Sequence, residues 1–253
     1  MISKISIFNI NFDNQNMAEV VNSIARTIEQ DNKMFVVTPN VDFIVRIKKD
    51  REFKKIIKNA DLIIPDGMPI IWLSKLIGQP LKERVTGADL LTVLSRESFE
   101  KGFKLFLLGG TESLNKLAVI KLRQKYPNVN IVGNFSPSFN FGEKENKLII
   151  DKINSSGANC VFVALGSPKQ EHWIEKHKDL IQANVFIGCG AAIDFAAGKK
   201  RAPLWMQNSG LEWLYRLIKE PRRLWKRYIL TDSKFIVIAM NEIIKRKLKR
   251  NQK

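Results

Sequence analysis

Asp66 closes the apolar run Leu62-Ile63-Ile64-Pro65 and stands just before Gly67, which makes it a candidate for chemistry. Three consecutive apolar residues, rather than an alternating pattern, read as a strand covered on both faces, as in a parallel α/β sheet. Pro65 should end that strand. Gly67 permits a tight turn, and Pro69 suits the first turn of a helix continuing through Ile70, Ile71, Trp72 and Leu73. The carboxylate then sits at a strand's carboxyl end, where open α/β sheets bind ligands. The same placement equally suits an aspartate that only caps the helix.

Other turns of similar character recur. They are Thr38-Pro39-Asn40, Gly109-Gly110-Thr111, Ser136-Pro137-Ser138-Phe139, Gly166-Ser167-Pro168-Lys169-Gln170-Glu171 and Gly188-Cys189-Gly190. Each follows an apolar run, so all should converge on one sheet edge. Glycine lets backbone approach a ligand closely, and a following helix offers free N–H groups, so a phosphorylated ligand fits.

Two other chemistries fit poorly. Gly188-Cys189-Gly190-Ala191-Ala192-Ile193 lacks the third glycine of the dinucleotide fingerprint and follows the last strand instead of the first. His172 and His177 are five residues apart, about 140° round a helix, so one metal ion is out of their shared reach. There is no Asp-x-Asp pair of the kind that holds a divalent cation on a nucleotide-sugar. Positive side chains and helix ends would have to take that role, and no metal or other cofactor is expected.

The elements that must position these turns follow from hydrophobic periodicity. Apolar runs at Met34–Val37, Asp61–Pro65, Lys104–Leu108, Val129–Phe135, Asn159–Leu165 and Asn184–Ile187 alternate with helical patterns, as repeated βα units do. One short strand precedes them, and helices are expected near residues 16–29, 41–47, 89–101, 143–155 and 168–178, with another running from the Gly109-Gly110-Thr111 turn to Tyr126. The expectation is a Rossmann-like α/β fold: a mostly parallel sheet of about six strands, helices on both faces, and a helical C-terminal appendage.

The 253 residues, 45% apolar, suit one large domain, residues 1–198, with residues 199–253 as the appendage. Cys160 and Cys189 lie in apolar runs and read as buried thiols of a reducing cytosol. Neither an export signal nor an apolar stretch of roughly 18 residues is evident. Residues 199–253 hold 16 Lys or Arg against 4 Asp or Glu, so +12 of the net charge of +17 belongs to the tail. Such a tail faces nucleic acid or an anionic membrane, or is simply a solvated helical face.

Seven motifs in order carry a family resemblance. They are Thr38-Pro39-Asn40, Pro65-Asp66-Gly67, Arg84-Val85-Thr86-Gly87-Ala88-Asp89, Gly166 to Glu171, Asp194-Phe195-Ala196-Ala197-Gly198, Arg201-Ala202-Pro203, and Gly210 to Leu217 running on to Glu220-Pro221-Arg222-Arg223. Over about residues 5–230 the chain resembles the bacterial WecG/TagA/CpsF glycosyltransferases. That resemblance implies an inverting, metal-independent transfer from a UDP-sugar to a polyprenyl-diphosphate-linked N-acetylglucosamine at the inner membrane face. N-acetylmannosamine is the favoured donor sugar, with its uronic acid, glucose or another hexose as alternatives.

Residue by residue, the resemblance makes Asp66 the general base. Thr38, Asn40 and Gln170 would line the same pocket and orient the hexosamine, while Arg84 would bind diphosphate or brace its loop. Asp194 is suited to a ribose hydroxyl, and Phe139 either stacks on uracil or packs ordinarily. Arg216 and Arg223 would fold over the pocket to stabilise the UDP leaving group.

In the tail, Leu211, Leu214, Tyr215 and Ile218 form one apolar stripe until Pro221 interrupts it. Trp213 and Trp225, with Arg222, Lys226 and Arg227, have the composition of a helix in a lipid interface. The expected location is therefore cytoplasmic, peripheral on the inner face of the plasma membrane. A homo-oligomer interface is the other use for the stripe. Nucleic acid is not expected as a partner, because the tail's aromatics lie beside aliphatics as lipid contacts do and the polar strand ends would have no role.

Overall fold

The computed structural model describes residues 3–226 and 233–251. Its centre is a six-stranded sheet made from β3 (Met34–Val37), β4 (Leu62–Ile63), β5 (Leu105–Gly109), β6 (Ile131–Phe135), β7 (Cys160–Ala164) and β8 (Val185–Gly188). The spatial order is β4-β3-β8-β7-β5-β6, and every pairing in it is parallel. This is the Rossmann-like α/β sheet that the apolar runs predict.

Alternate residues of each strand serve opposite faces, which is why the runs are continuously apolar. Phe35, Val37, Leu108, Val161, Val163 and Phe186 point to one core. There they meet α2 (Val41–Ile47), α3 (Arg51–Asn59), α4 (Met68–Leu76), α7 (Glu143–Ser156) and α8 (Lys169–His177). Val36, Leu105, Leu107, Phe162, Val185 and Ile187 point to the other core. It is closed by α1 (Met17–Glu29), α5 (Gly87–Glu97), α6 (Glu112–Lys125) and α9 (Ala192–Ala196). Burying each large aliphatic or aromatic side chain is favourable by ~1.5–3 kcal/mol, so the strand residues hold both layers on the sheet.

The chain leaves β3 toward α2 on one face and leaves β8 toward α9 on the other. Those strands are neighbours. Their opposed exits open a crevice at the carboxyl edge, the place where sheets of this type bind ligands.

Two departures from the expected elements have local causes. The single first strand is an antiparallel hairpin, β1 (Lys4–Ile7) with β2 (Ile10–Asp13). It turns at Phe8 and Asn9, whose φ values of 58° and 62° lie in the left-handed region. Phenylalanine is a poor residue for such a turn. Here its ring is buried, edge-on to Phe235 with centroids 5.7 Å apart. The helix α3 was also unexpected; Asp50 starts it by accepting from the Phe53 N–H at 2.9 Å.

The tail forms α10 (Leu204–Asn208), α11 (Glu212–Lys219), α12 (Pro221–Lys226) and α13 (Lys234–Asn251). Phe235 of α13 joins the first core, and Arg246 hydrogen-bonds the Ser6 carbonyl. The outer side of α13 leaves Val237, Met240, Ile244 and Leu248 exposed. Among the described residues, no helix is long and apolar enough to cross a membrane.

Candidate active site

The turns after β3, β4, β7 and β8 surround a cavity of about 1010 Å³. Thr38, Asn40, Asp66, Arg84 and Gln170 all line it, brought together from four separate stretches of chain. Neighbouring backbone fixes each of those stretches. The Asp66 N–H donates to the Pro39 carbonyl at 3.0 Å, and the Val85 N–H donates to the Pro65 carbonyl at 2.9 Å. The Arg84 loop is thereby tied to the strand end that carries Asp66. Asn40 caps α2 by accepting from the Phe43 N–H at 3.4 Å, leaving its amide NH₂ uncommitted by that bond. Gly87 opens α5 hard against Cys189, where an added Cβ would stand 2.8 Å from the Cys189 Cα. Only glycine allows that approach.

Asp66 is not a helix cap. The N-cap of α4 is Gly67, with no side-chain capping bond. The Asp66 carboxyl is part of the cavity lining, and burial pushes it from its ordinary 3.8 up to about 7. Arg84 and Arg201 oppose the rise, while Glu212 and Asp89 add to it. A carboxyl poised near neutrality on a cavity wall is suited to proton transfer.

Beside it lies a charged network that joins the core to the tail. Arg84 Nη1 is 3.4 Å from Glu212 Oε2, and Arg201 Nε is 3.2 Å from Glu212 Oε1. Arg201 Nη1 also pairs with Asp89 Oδ1 at 2.6 Å, and the Thr86 hydroxyl donates to Asp89 Oδ2 at 2.7 Å. Burial alone would raise Asp89, but the bonds from Arg201 and Thr86 and the charge of Arg84 hold it below its ordinary value. Two guanidiniums sharing one carboxylate from α11 form a place that suits a diphosphate.

The tail supplies further wall through Gln207, Gly210, Trp213, Arg216, Leu217 and Phe235. Arg216 thus stands on the cavity, as does Trp213, which is 45% exposed. Trp225 and Arg222 are exposed on α12. Arg227 and the side chains of Arg223 and Lys226 lie outside the described residues.

The structure does not bring Phe139 or Asp194 to the cavity wall. Phe139 is 90% exposed beyond β6, with Lys169 Nζ donating to its carbonyl and lying 5.6 Å from its ring centroid. Asp194 of α9 pairs with Lys199 at 2.7 Å, and its neighbour Phe195 lines the cavity instead. Sequence reasoning gave no role to Arg201, Asp89, Thr86 or Glu212. Each lies within a quoted motif, but Arg201 and Asp89 are 112 residues apart, so only folding reveals the pair.

Known proteins resemble the chain in sequence. Residues 5–249 match the model of the glycosyl transferase WecG/TagA/CpsF family. A Bacillus spizizenii protein named N-acetylglucosaminyldiphosphoundecaprenol N-acetyl-beta-D-mannosaminyltransferase is 31% identical over 91% of this chain and 88% of its own length. A Staphylococcus aureus protein of the same name is 30% identical over 98% of this chain and 94% of its own. With the family model matched across nearly the whole length and the motifs gathered round one cavity, the chain belongs to the WecG/TagA/CpsF family of glycosyltransferases.

Proposed function

We propose that the chain transfers N-acetylmannosamine from UDP-N-acetylmannosamine to undecaprenyl-diphosphate-linked N-acetylglucosamine, with inversion and with Asp66 as general base. The observation that carries this reading is the Asp66 carboxyl, raised to about 7 on a wall shared with Arg84, Arg201 and Arg216. The name of the relatives supplies the sugar and the acceptor.

The chemistry is one displacement. An acceptor hydroxyl oxygen forms a bond to the anomeric carbon as that carbon's bond to the UDP oxygen breaks. The hydroxyl proton passes to Asp66, and the electron pair leaves with UDP. Negative charge grows on the diphosphate, where the arginines stabilise it without a metal ion. Thr38, Asn40 and Gln170 orient the hexosamine.

The chain works at a membrane surface in this reading. Support comes from the basic tail and the exposed Val237, Met240, Ile244 and Leu248 of α13, a combination that adsorbs to anionic lipid. The test is a panel of UDP-sugars assayed for UDP release with lipid-linked N-acetylglucosamine. UDP-N-acetylmannosamine is expected to be fastest, and a preference for the uronic acid or for glucose would replace the donor assignment.

A further inference from the structure

Glu171 is a buried carboxylate that the transfer chemistry does not use. It is 1% exposed, lies behind the cavity in α8, and is not part of the lining. Burial raises its carboxyl to about 7. Carboxylates are costly to bury, so a buried one needs a task.

Its contacts point to that task. The Gln170 Nε2 donates to Glu171 Oε1 at 2.6 Å. On the other side of the same amide, the Gly190 N–H donates to Gln170 Oε1 at 3.2 Å. Gly188 closes over the pair: a Cβ there would stand 2.9 Å from Gln170 Nε2 and 3.1 Å from Glu171 Oε1. A backbone N–H only donates, and the Glu171 oxygen facing Nε2 accepts from it whether the carboxyl is ionised or carries its proton on the other oxygen. The amide therefore has one satisfied orientation, since flipping it would set oxygen against oxygen and N–H against N–H. One amide hydrogen and one oxygen lone pair stay free on a residue that lines the cavity.

We propose that Glu171 is a positioning residue for transfer, locking the Gln170 amide so that it presents one donor and one acceptor to the hexosamine's hydroxyl or acetamido groups. The proposal rests on the reading of Gln170 as a sugar contact. A locked amide discriminates between sugar epimers, because a rotated hydroxyl loses one of the two bonds.

Two substitutions separate placement from charge. Glu171→Gln keeps an acceptor oxygen at the same reach but no charge, whereas Glu171→Asp keeps the charge and withdraws the acceptor by one bond, about 1.5 Å. Both are to be assayed in the wild-type and Gln170→Ala backgrounds, with whichever donor of the UDP-sugar panel the wild-type chain turns over. Glu171→Asp is expected to lower turnover about 10²-fold, the usual cost of an ångström-scale misplacement, while Glu171→Gln keeps most of it. In Gln170→Ala, Glu171→Asp should cost nothing further. The opposite order of the two variants, or an equal penalty in both backgrounds, would overturn the proposal. Normal turnover by Gln170→Ala alone would remove the sugar contact and the proposal with it, leaving the transferase reading in place.

Discussion

Arg84 of the core and Glu212 of the tail form an ion pair of 3.4 Å on the cavity wall, and both side chains are largely buried. Arg201 closes on the same carboxylate at 3.2 Å. Glu212 thus occupies the arginines that the proposed mechanism assigns to the donor's diphosphate.

Replacing that carboxylate should free them. Glu212→Gln is expected to tighten UDP binding about tenfold, measured by titration calorimetry, because the diphosphate no longer competes with a tethered anion. Glu212 also helps to raise Asp66, so the variant's pH–rate profile should shift to lower pH. Weaker UDP binding would mean that Glu212 serves to hold the arginines in place.

In the proposed mechanism Arg84, Arg201 and Arg216, which line the cavity, meet the diphosphate's charge. Activity is accordingly expected to survive excess EDTA. A loss restored by Mg²⁺ or Mn²⁺ would refute metal independence.

Asp66 also links pH to stability. Its carboxyl holds its proton more tightly in the folded chain, near 7, than at its ordinary 3.8. The stability from that proton is complete below the lower value and is lost as pH rises through the upper one. Asp66→Asn should therefore melt at a higher temperature than the wild type, with the gap widening from about pH 5 to about pH 8. Glu171, raised in the same way, titrates in both chains and cancels. A gap that shrinks over this range would contradict the raised value.

The outer face of α13 provides the membrane test. Changing Met240, Ile244 and Leu248 to Ser removes three exposed apolar side chains while leaving the cavity lining intact. Binding to anionic vesicles should fall at least about tenfold, with turnover of a water-soluble acceptor unchanged. Unaltered vesicle binding would place the membrane contact elsewhere.

The parallel sheet and the edge that carries the cavity were legible because both depend on local pattern. Continuous burial on both faces of a strand leaves an unbroken apolar run, and a strand end leaves a polar or glycine turn. Thr38, Asn40, Asp66 and Gln170 could be gathered from those turns, whereas Arg84 stood out only through the family motif Arg84 to Asp89. What depends on distant partners was not legible. The turn at Phe8 is favoured by a ring 227 positions later in the chain, Phe235. The Arg201 pairs hid in a basic stretch, and Glu171 looks in sequence like any exposed helical glutamate. Phe139 carried an aromatic signal, yet it projects outward with Lys169 beside its ring.

The most direct measurement is the pH dependence of kcat/KM for the wild type and Asp66→Asn. The wild-type profile should rise with an apparent pKa near 7, since the base must lose its proton before it can take the acceptor's. Asp66→Asn should keep its UDP affinity, lose the rising limb and turn over about 10²–10⁴-fold more slowly. An Asp66→Asn chain with near-normal turnover and the limb intact would contradict the account, because the base would then be another group.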